Sequence, residues 1–108
     1  MRIDTVLPEL DTIADETLRT NVSAAWTLAA EENDTDVAEL ASVPGLPPEQ
    51  KELGIAPEEA TLVGHVRDVT ACAVGLAESI SERRSEPGLD IDTVVAGALV
   101  HDVSKLYE

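Results

Sequence analysis

Apolar side chains recur at helical spacing in the first third of the chain. From about Glu9 to Glu32 they return every three or four residues, which predicts one helix, or two with a bend, ended by Asn33 and Asp34. The apolar positions are Leu10, Ile13, Ala14, Leu18, Val22, Ala25, Trp26 and Ala29. No stretch alternates apolar and polar residues for long enough to make a convincing strand, so the pattern predicts an all-α fold.

The segment from Asp34 to Pro57 is rich in proline, glycine and acidic residues, which predicts a loop. A short helical turn over Pro48 to Leu53 is compatible with this pattern. Two interpretations of the loop stay open, a lid over a site and a plain surface connection.

Two further helices are predicted after the loop. The first begins at Pro57–Glu59, where proline and two acids suit a first helical turn, and it ends near Arg84, before a Pro-Gly pair. Its predicted core face carries Leu62, Val66, Val69, Ala73, Leu76 and Ile80, with His65 and Cys72 at its edge. We therefore expect His65 to face the core. Asp90 or Asp92 caps the last helix. That helix carries Val94, Val95, Ala98, Leu99, Asp102 and Leu106 along one face.

The length and charge of the chain restrict its class. At 108 residues it has the usual size of one domain, with N-terminal helices in 1–33, the loop in 34–57 and the remaining helices in 58–108. With 22 acidic and 7 basic residues, its net charge is −15. This charge argues against duplex nucleic acid and anionic membranes as partners. It resembles proteins of salt-loving archaea, and the alternative is an ordinary acidic cytoplasmic protein.

Cysteine usage and the N-terminus indicate the compartment. Cys72 is the only cysteine, which excludes an internal disulfide and a metal cage built from cysteines. The N-terminus lacks the apolar run of a signal peptide, and no stretch approaches the roughly 20 apolar residues that span a bilayer. We expect a cytoplasmic protein, for which a homo-oligomer is one option.

Two histidines and one aspartate form a candidate site. Asp102 falls within the apolar face of the last predicted helix, where an unpaired carboxylate is costly to bury. A divalent ion bound by Asp102, the adjacent His101 and His65 from the neighbouring helix would compensate this charge. Asp102 could instead pair with Lys105 or an arginine. In that alternative His65 is a structural core residue and His101 is solvated. The residue pattern alone does not choose between metal binding and this alternative.

The order of these residues matches a known motif. His65 stands in LVGHVRDVT, and the pair His101-Asp102 stands in AGALVHDVSK, followed by Lys105. From roughly Thr61 to Glu108 this arrangement resembles the HD-domain superfamily of metal-dependent phosphohydrolases, in particular the subgroup whose motif reads His-Asp, apolar, small, Lys. The resemblance implies an HD-like helical bundle, incomplete or minimal here, in which His65, His101 and Asp102 bind a divalent metal.

The resemblance also implies an activity. A metal-activated water would hydrolyse a phosphomonoester or phosphodiester of a small substrate, with nucleotides among the candidates. Asp102 and Lys105 would act in catalysis, Lys105 by contacting a phosphate oxygen or steadying Asp102. Its structural alternative is a lysine favoured by the helix dipole. The ligand types suit Mn, Fe, Co, Ni or Zn equally. A lysine where the nucleotide monophosphatase branch has an acid favours phosphodiesters or cyclic nucleotides.

One feature of the family has no counterpart in this sequence. Family members complete the site with an aspartate on a later helix, so we expect a fragment of a longer protein, or a short form that has lost this ligand. The fragment is favoured because the last helix lacks a stop signal. Asp68, one turn after His65, is a candidate for supporting the site from its edge. Two other hypotheses are a catalytically silent HD-like domain that binds metal or nucleotide for regulation, and an acidic helical interaction module.

Overall fold

The computed structural model describes residues 2–44, 61–84 and 88–107, and in these ranges the chain is all-α, as predicted. The α-helices are α1 (Ile3–Val6), α2 (Glu16–Glu32), α3 (Val37–Leu40), α4 (Leu62–Arg83) and α5 (Ile91–Val100). Within the described ranges, 3₁₀ helices cover Pro8–Thr12 and Val103–Tyr107. The described ranges contain no β-strand, only an isolated bridge between Pro44 and Thr61. None of the described helices is long and apolar enough to cross a lipid bilayer.

The segment from Glu9 to Glu32 forms two helices, one of the two predicted arrangements, and α1 precedes it. The first is the 3₁₀ helix over Pro8–Thr12, and the second is α2. Asp15 is the N-cap of α2, since its carboxylate accepts the backbone N–H of Leu18 at 3.0 Å. The predicted end of α2 is confirmed. Asp34, just beyond it, has a φ of 51°, a left-handed conformation that a short polar side chain tolerates.

Asp90 and Asp92, predicted as alternative caps of α5, have different roles. Asp90 is the cap, because its carboxylate accepts the backbone N–H of Thr93 at 3.4 Å and the hydroxyl of Thr93 at 2.8 Å. Asp92 accepts the backbone N–H groups of Ala14 at 3.1 Å and Asp15 at 2.9 Å. Asp92 therefore joins the start of α5 to the start of α2.

The segment 34–57, predicted as a loop, contains one turn of helix at Val37–Leu40. The loop prediction is wrong for this turn. The side chain of Leu40 is fully buried in the core, and this burial holds the turn against the other helices. Residues 45–60 lie outside the described residues, and so do the predicted helical turn over Pro48–Leu53 and any lid.

Helix α4 begins later than predicted. Thr61 has an extended backbone, and its hydroxyl accepts the N–H of Gly64 at 3.0 Å, so the helix starts at Leu62 and not at Glu58. A threonine whose side chain bonds a backbone amide of the first turn is a favourable N-cap. Glu58 and Glu59, the acidic residues that suggested the earlier start, lie outside the described residues. The helix ends at Arg83, in agreement with the prediction.

The predicted core face of α4 is correct only in its first half. Its buried residues are Leu62, Val63, Val66, Thr70 and Ala77. Leu76 and Ile80, predicted as core, are 65% and 36% exposed. The main partner of α4 is α5, and α4 has 22 residues against 10 in α5. At about 1.5 Å per residue, the C-terminal part of α4 therefore extends beyond its partner.

Candidate metal centre

The three candidate ligands meet where α4 begins and α5 ends. His65 lies in the first turn of α4. His101 and Asp102 lie in the turn that follows α5, before the 3₁₀ helix Val103–Tyr107. The prediction of one continuous helix through this pair is therefore wrong. Asp102 is not inside a helical apolar face but in the turn between the end of α5 and this 3₁₀ helix.

One carboxylate oxygen is close to both imidazoles. Oδ2 of Asp102 lies 3.0 Å from Nε2 of His65 and 3.1 Å from Nε2 of His101. The two rings are 5.5 Å apart between centroids, with a tilt of 53°. One nitrogen or oxygen from each of the three residues lies within 4.8 Å of the other two. Ligands of a tetrahedral ion with bonds of about 2.0–2.2 Å stand about 3.3–3.6 Å apart, so the three residues have donor types that bind metals and lie close enough together to form a metal site after small side-chain shifts.

The cluster is partly open to solvent. The exposed fractions of the side chains are 49% for His65, 34% for His101 and 22% for Asp102. The prediction that His65 faces the core is wrong, because the face of α4 that packs into the core is centred on neighbouring positions and leaves this residue at its edge. Catalytic metal sites keep one coordination position for water or substrate, and the exposure of this cluster leaves it accessible to both.

The orientation of His101 is set by a backbone group. Nδ1 of His101 lies 2.6 Å from the carbonyl oxygen of Ala98. A carbonyl oxygen only accepts hydrogen bonds, so Nδ1 holds the hydrogen, and in the neutral ring Nε2 then has the free lone pair. A carbonyl partner on the second ring nitrogen is typical of histidines that bind metals.

This tautomer leaves two acceptors facing each other, Nε2 of His101 and Oδ2 of Asp102. Their separation of 3.1 Å is favourable only if positive charge lies between or beside them. Two species supply it, a proton on the imidazole, which makes an ion pair, and a divalent cation bound to both atoms. The geometry therefore leaves two states open, an ion pair between Asp102 and a protonated imidazole and a metal ion bound to both. The predicted alternative, in which Asp102 pairs with Lys105 or an arginine, stays a prediction.

Lys105 lies three residues after Asp102 in the sequence. Its backbone N–H donates to the carbonyl oxygen of Asp102 at 3.0 Å, within the 3₁₀ turn. The residue is exposed. Its predicted contact with a phosphate oxygen stays a prediction.

Asp68, predicted as a supporting residue, lines a different feature. With Gly64, Arg67 and Glu9 it borders a groove of about 380 Å³, in which Nε of Arg67 donates to Oε1 of Glu9 at 2.7 Å. Across residues 2–44, 61–84 and 88–107, no fourth histidine, cysteine or acid joins the three ligands. Asp68 is therefore outside the cluster.

Two supports of the site were missed by sequence reasoning. Trp26 was predicted only as an apolar position of α2, yet its Nε1–H donates to the carbonyl oxygen of Leu99 at 2.8 Å. The second support is the carbonyl of Ala98. Backbone carbonyl groups have no sequence signal, but a buried tryptophan needs a partner for its N–H, and this need was a usable signal.

Comparisons with known proteins identify no relative. No family model matches the chain, and neither curated proteins nor solved structures show significant similarity to it. The resemblance to the HD-domain superfamily therefore stays a prediction that depends on His65, His101, Asp102 and Lys105.

Proposed function

We propose that this protein binds a divalent transition-metal ion through His65, His101 and Asp102 and uses it to hydrolyse a phosphoester. The observation that supports the proposal most is the approach of two Nε2 atoms to one carboxylate oxygen, at 3.0 and 3.1 Å. The bond from His101 to the Ala98 carbonyl adds support, because it leaves the metal-binding nitrogen with its lone pair. The net charge of −15 favours the approach of cations to the protein.

Each residue has a separate task in this proposal. His65 and His101 supply neutral nitrogen ligands, and Asp102 supplies a negative charge that offsets part of the charge of the ion. An ion held by these residues would activate a water molecule and act as a Lewis acid toward the phosphoester. The exposed side of the cluster admits the substrate, and Lys105 contacts one of its phosphate oxygens. The substrate is a small phosphomonoester or phosphodiester, with nucleotides among the candidates, and the ion is Mn, Fe, Co, Ni or Zn.

Metal analysis tests the first half of the proposal. The purified protein is dialysed against Mn²⁺ or Zn²⁺, freed of unbound ions and analysed by plasma mass spectrometry, beside Asp102→Asn and Asp68→Asn. Both variants exchange one carboxylate for an amide, but Asp68 lies outside the cluster. We expect about one ion per chain in the wild type and in Asp68→Asn and little in Asp102→Asn. Equal metal content in all three proteins would remove Asp102 from the site, and no metal in the wild type would contradict the proposal.

Hydrolysis tests the second half. The metal-loaded protein is assayed with nitrophenyl esters of phosphoric acid, one a monoester and one a diester, and with cyclic nucleotides. We expect release of product that stops in Asp102→Asn and falls in Lys105→Ala with the metal content unchanged. Hydrolysis at the same rate in both variants would contradict the assignment.

A catalytically silent domain that binds metal or nucleotide for regulation is the second candidate. It is favoured by the finding that only three ligands meet within the described part of the chain, while the family completes its site with a later aspartate. Metal retention without hydrolysis of any of these esters would select this candidate. An acidic interaction module, the third hypothesis, should retain no metal.

A further inference from the structure

Two side chains form hydrogen bonds with backbone carbonyl groups at the C-terminal end of α5. A helix leaves the carbonyl groups of its last turn without partners in the helix itself. In α5, the carbonyl oxygen of Ala98 is bonded by Nδ1 of His101 at 2.6 Å, and that of Leu99 by Nε1 of Trp26 at 2.8 Å. One of these donors is a candidate metal ligand, and the other comes from α2.

Trp26 lies in the core beside both ligand-bearing helices. Its side chain is fully buried, and it belongs to the same core cluster as Val66 and Leu99, which are also fully buried. Val66 is the neighbour of His65 in α4, and Leu99 closely precedes His101. The indole of Trp26 therefore packs in one cluster with residues next to the ligands on both helices, and its N–H bond fixes the end of one of them.

We infer that Trp26 is a positioning residue of the candidate metal centre, which rests on the proposed metal-binding function. Without its N–H, the carbonyl of Leu99 is a buried acceptor with one partner fewer, which is costly. The last turn of α5 then shifts to regain a hydrogen bond, and it moves His101 and Asp102 with it. His65 does not move with them, because it lies on α4. Ligand sets need a geometry held within about 0.5 Å, so this relative movement weakens metal binding.

A single-atom change tests the inference. Trp26 is the only tryptophan in the chain, so growth of a tryptophan auxotroph on β-(3-benzothienyl)alanine replaces this residue alone. The analogue keeps the two fused rings and has sulfur in place of N–H. We expect unchanged helical circular dichroism and an affinity for Zn²⁺ and Mn²⁺ that falls about tenfold, the lower end of what loss of a supporting hydrogen bond costs a metal site.

A matched control separates positioning from general stability. Thr70 is also buried, and its hydroxyl donates to the carbonyl oxygen of Val66 inside α4 at 2.8 Å. Thr70→Val removes this buried donor at nearly constant volume, away from the end of α5. We expect a lower thermal midpoint in both altered proteins, but a loss of metal affinity only in the Trp26 analogue. Equal loss of affinity in Thr70→Val would overturn the inference, because general stability would then explain it.

A second measurement needs no metal. The rings of His65 and His101, the only histidines, are 5.5 Å apart between centroids, so their ring protons should show cross-relaxation by NMR in the metal-free protein. We expect this signal to weaken in the Trp26 analogue and to persist in Thr70→Val. If the wild type binds neither ion, the metal proposal fails, while this ring contact still decides the positioning role. If the analogue keeps both the ring contact and the affinity, the positioning role is overturned and the metal proposal stands.

Discussion

Nδ1 of His101 lies 2.6 Å from the carbonyl oxygen of Ala98, so the imidazole folds back onto the helix that precedes it. The bond is local, and it needs no other element to orient the ring. His65 differs, because within the described residues the only polar partner of its imidazole is Asp102. One histidine is therefore oriented by its own helix, while the other depends on the carboxylate that both share.

This difference predicts unequal behaviour of the two imidazoles. In the Zn²⁺-loaded protein, Nδ1–H of His101 should exchange slowly with water, because it is bonded to the Ala98 carbonyl. Nδ1–H of His65 should exchange fast, since this side chain is 49% exposed. Proton–nitrogen NMR spectra of the imidazole groups measure both, and correlations from each ring to its own backbone assign the signals. An Nε2–H form of His101 in the loaded protein would contradict the prediction.

Leu62 and Leu76, both on α4, differ in exposure, and this predicts very different effects of their substitution. Leu62→Ala should lower the free energy of unfolding by about 2–5 kcal/mol, because this side chain is 2% exposed in the core. Leu76→Ala should change it by less than about 0.5 kcal/mol, because Leu76 is 65% exposed. Urea unfolding followed by Trp26 fluorescence measures both. A large loss in Leu76→Ala would mean that this face is covered in the folded protein.

The two leucines also show how far the sequence could predict the fold. The helical spacing of apolar residues located α2, most of α4 and α5, because this spacing is a local property. Leu76 was misassigned because the pattern contains no information on where the partner helix ends. The helical spacing of apolar residues continues along α4 beyond Ala73, whereas α5, with 10 residues against 22, is too short to cover the whole of α4.

The candidate site was predictable to a similar extent. The residue types and their motif predicted that His65, His101 and Asp102 lie together, and their donor atoms are within 4.8 Å of one another. The end of α5 was not predictable, because no glycine or proline stops the helix at Val100. The bond from Trp26 to the Leu99 carbonyl is a long-range contact, and no local pattern encodes it.

Asp92 predicts a stability effect far from the site. Asp92→Ala removes the acceptor of two backbone N–H groups, those of Ala14 and Asp15, and should lower the free energy of unfolding by about 1–2 kcal/mol. Asp11→Ala is the matched control, because Asp11 is exposed and its carboxylate makes no hydrogen bond or ion pair within the described residues. Urea unfolding compares them. Equal stability of the two variants would show that Asp92 does not join α5 to α2.

The hydroxyl of Tyr107 donates to a carboxylate oxygen of Glu32, which ties the 3₁₀ helix after the candidate ligands to α2. This hydrogen bond raises the pKa of Tyr107 above its usual value of 10.0, and the negative charge of Glu32 acts in the same direction. Because the raised pKa favours the protonated phenol in the folded protein, the stabilisation is present below about pH 10 and is lost as pH rises through the folded pKa.

Tyr107 is the only tyrosine, so ultraviolet absorbance of its phenolate gives the titration directly. We expect a midpoint above 10.0 in the wild type and close to 10.0 in Glu32→Ala, since that variant has neither the acceptor nor the charge. Glu31→Ala is the control, because this acid is adjacent and exposed and has no recorded contact with Tyr107. Its midpoint should stay at the wild-type value. A titration that is identical in all three proteins would mean that the segment following Asp102 is not held against α2, and Lys105 would then lack a fixed position beside the cluster.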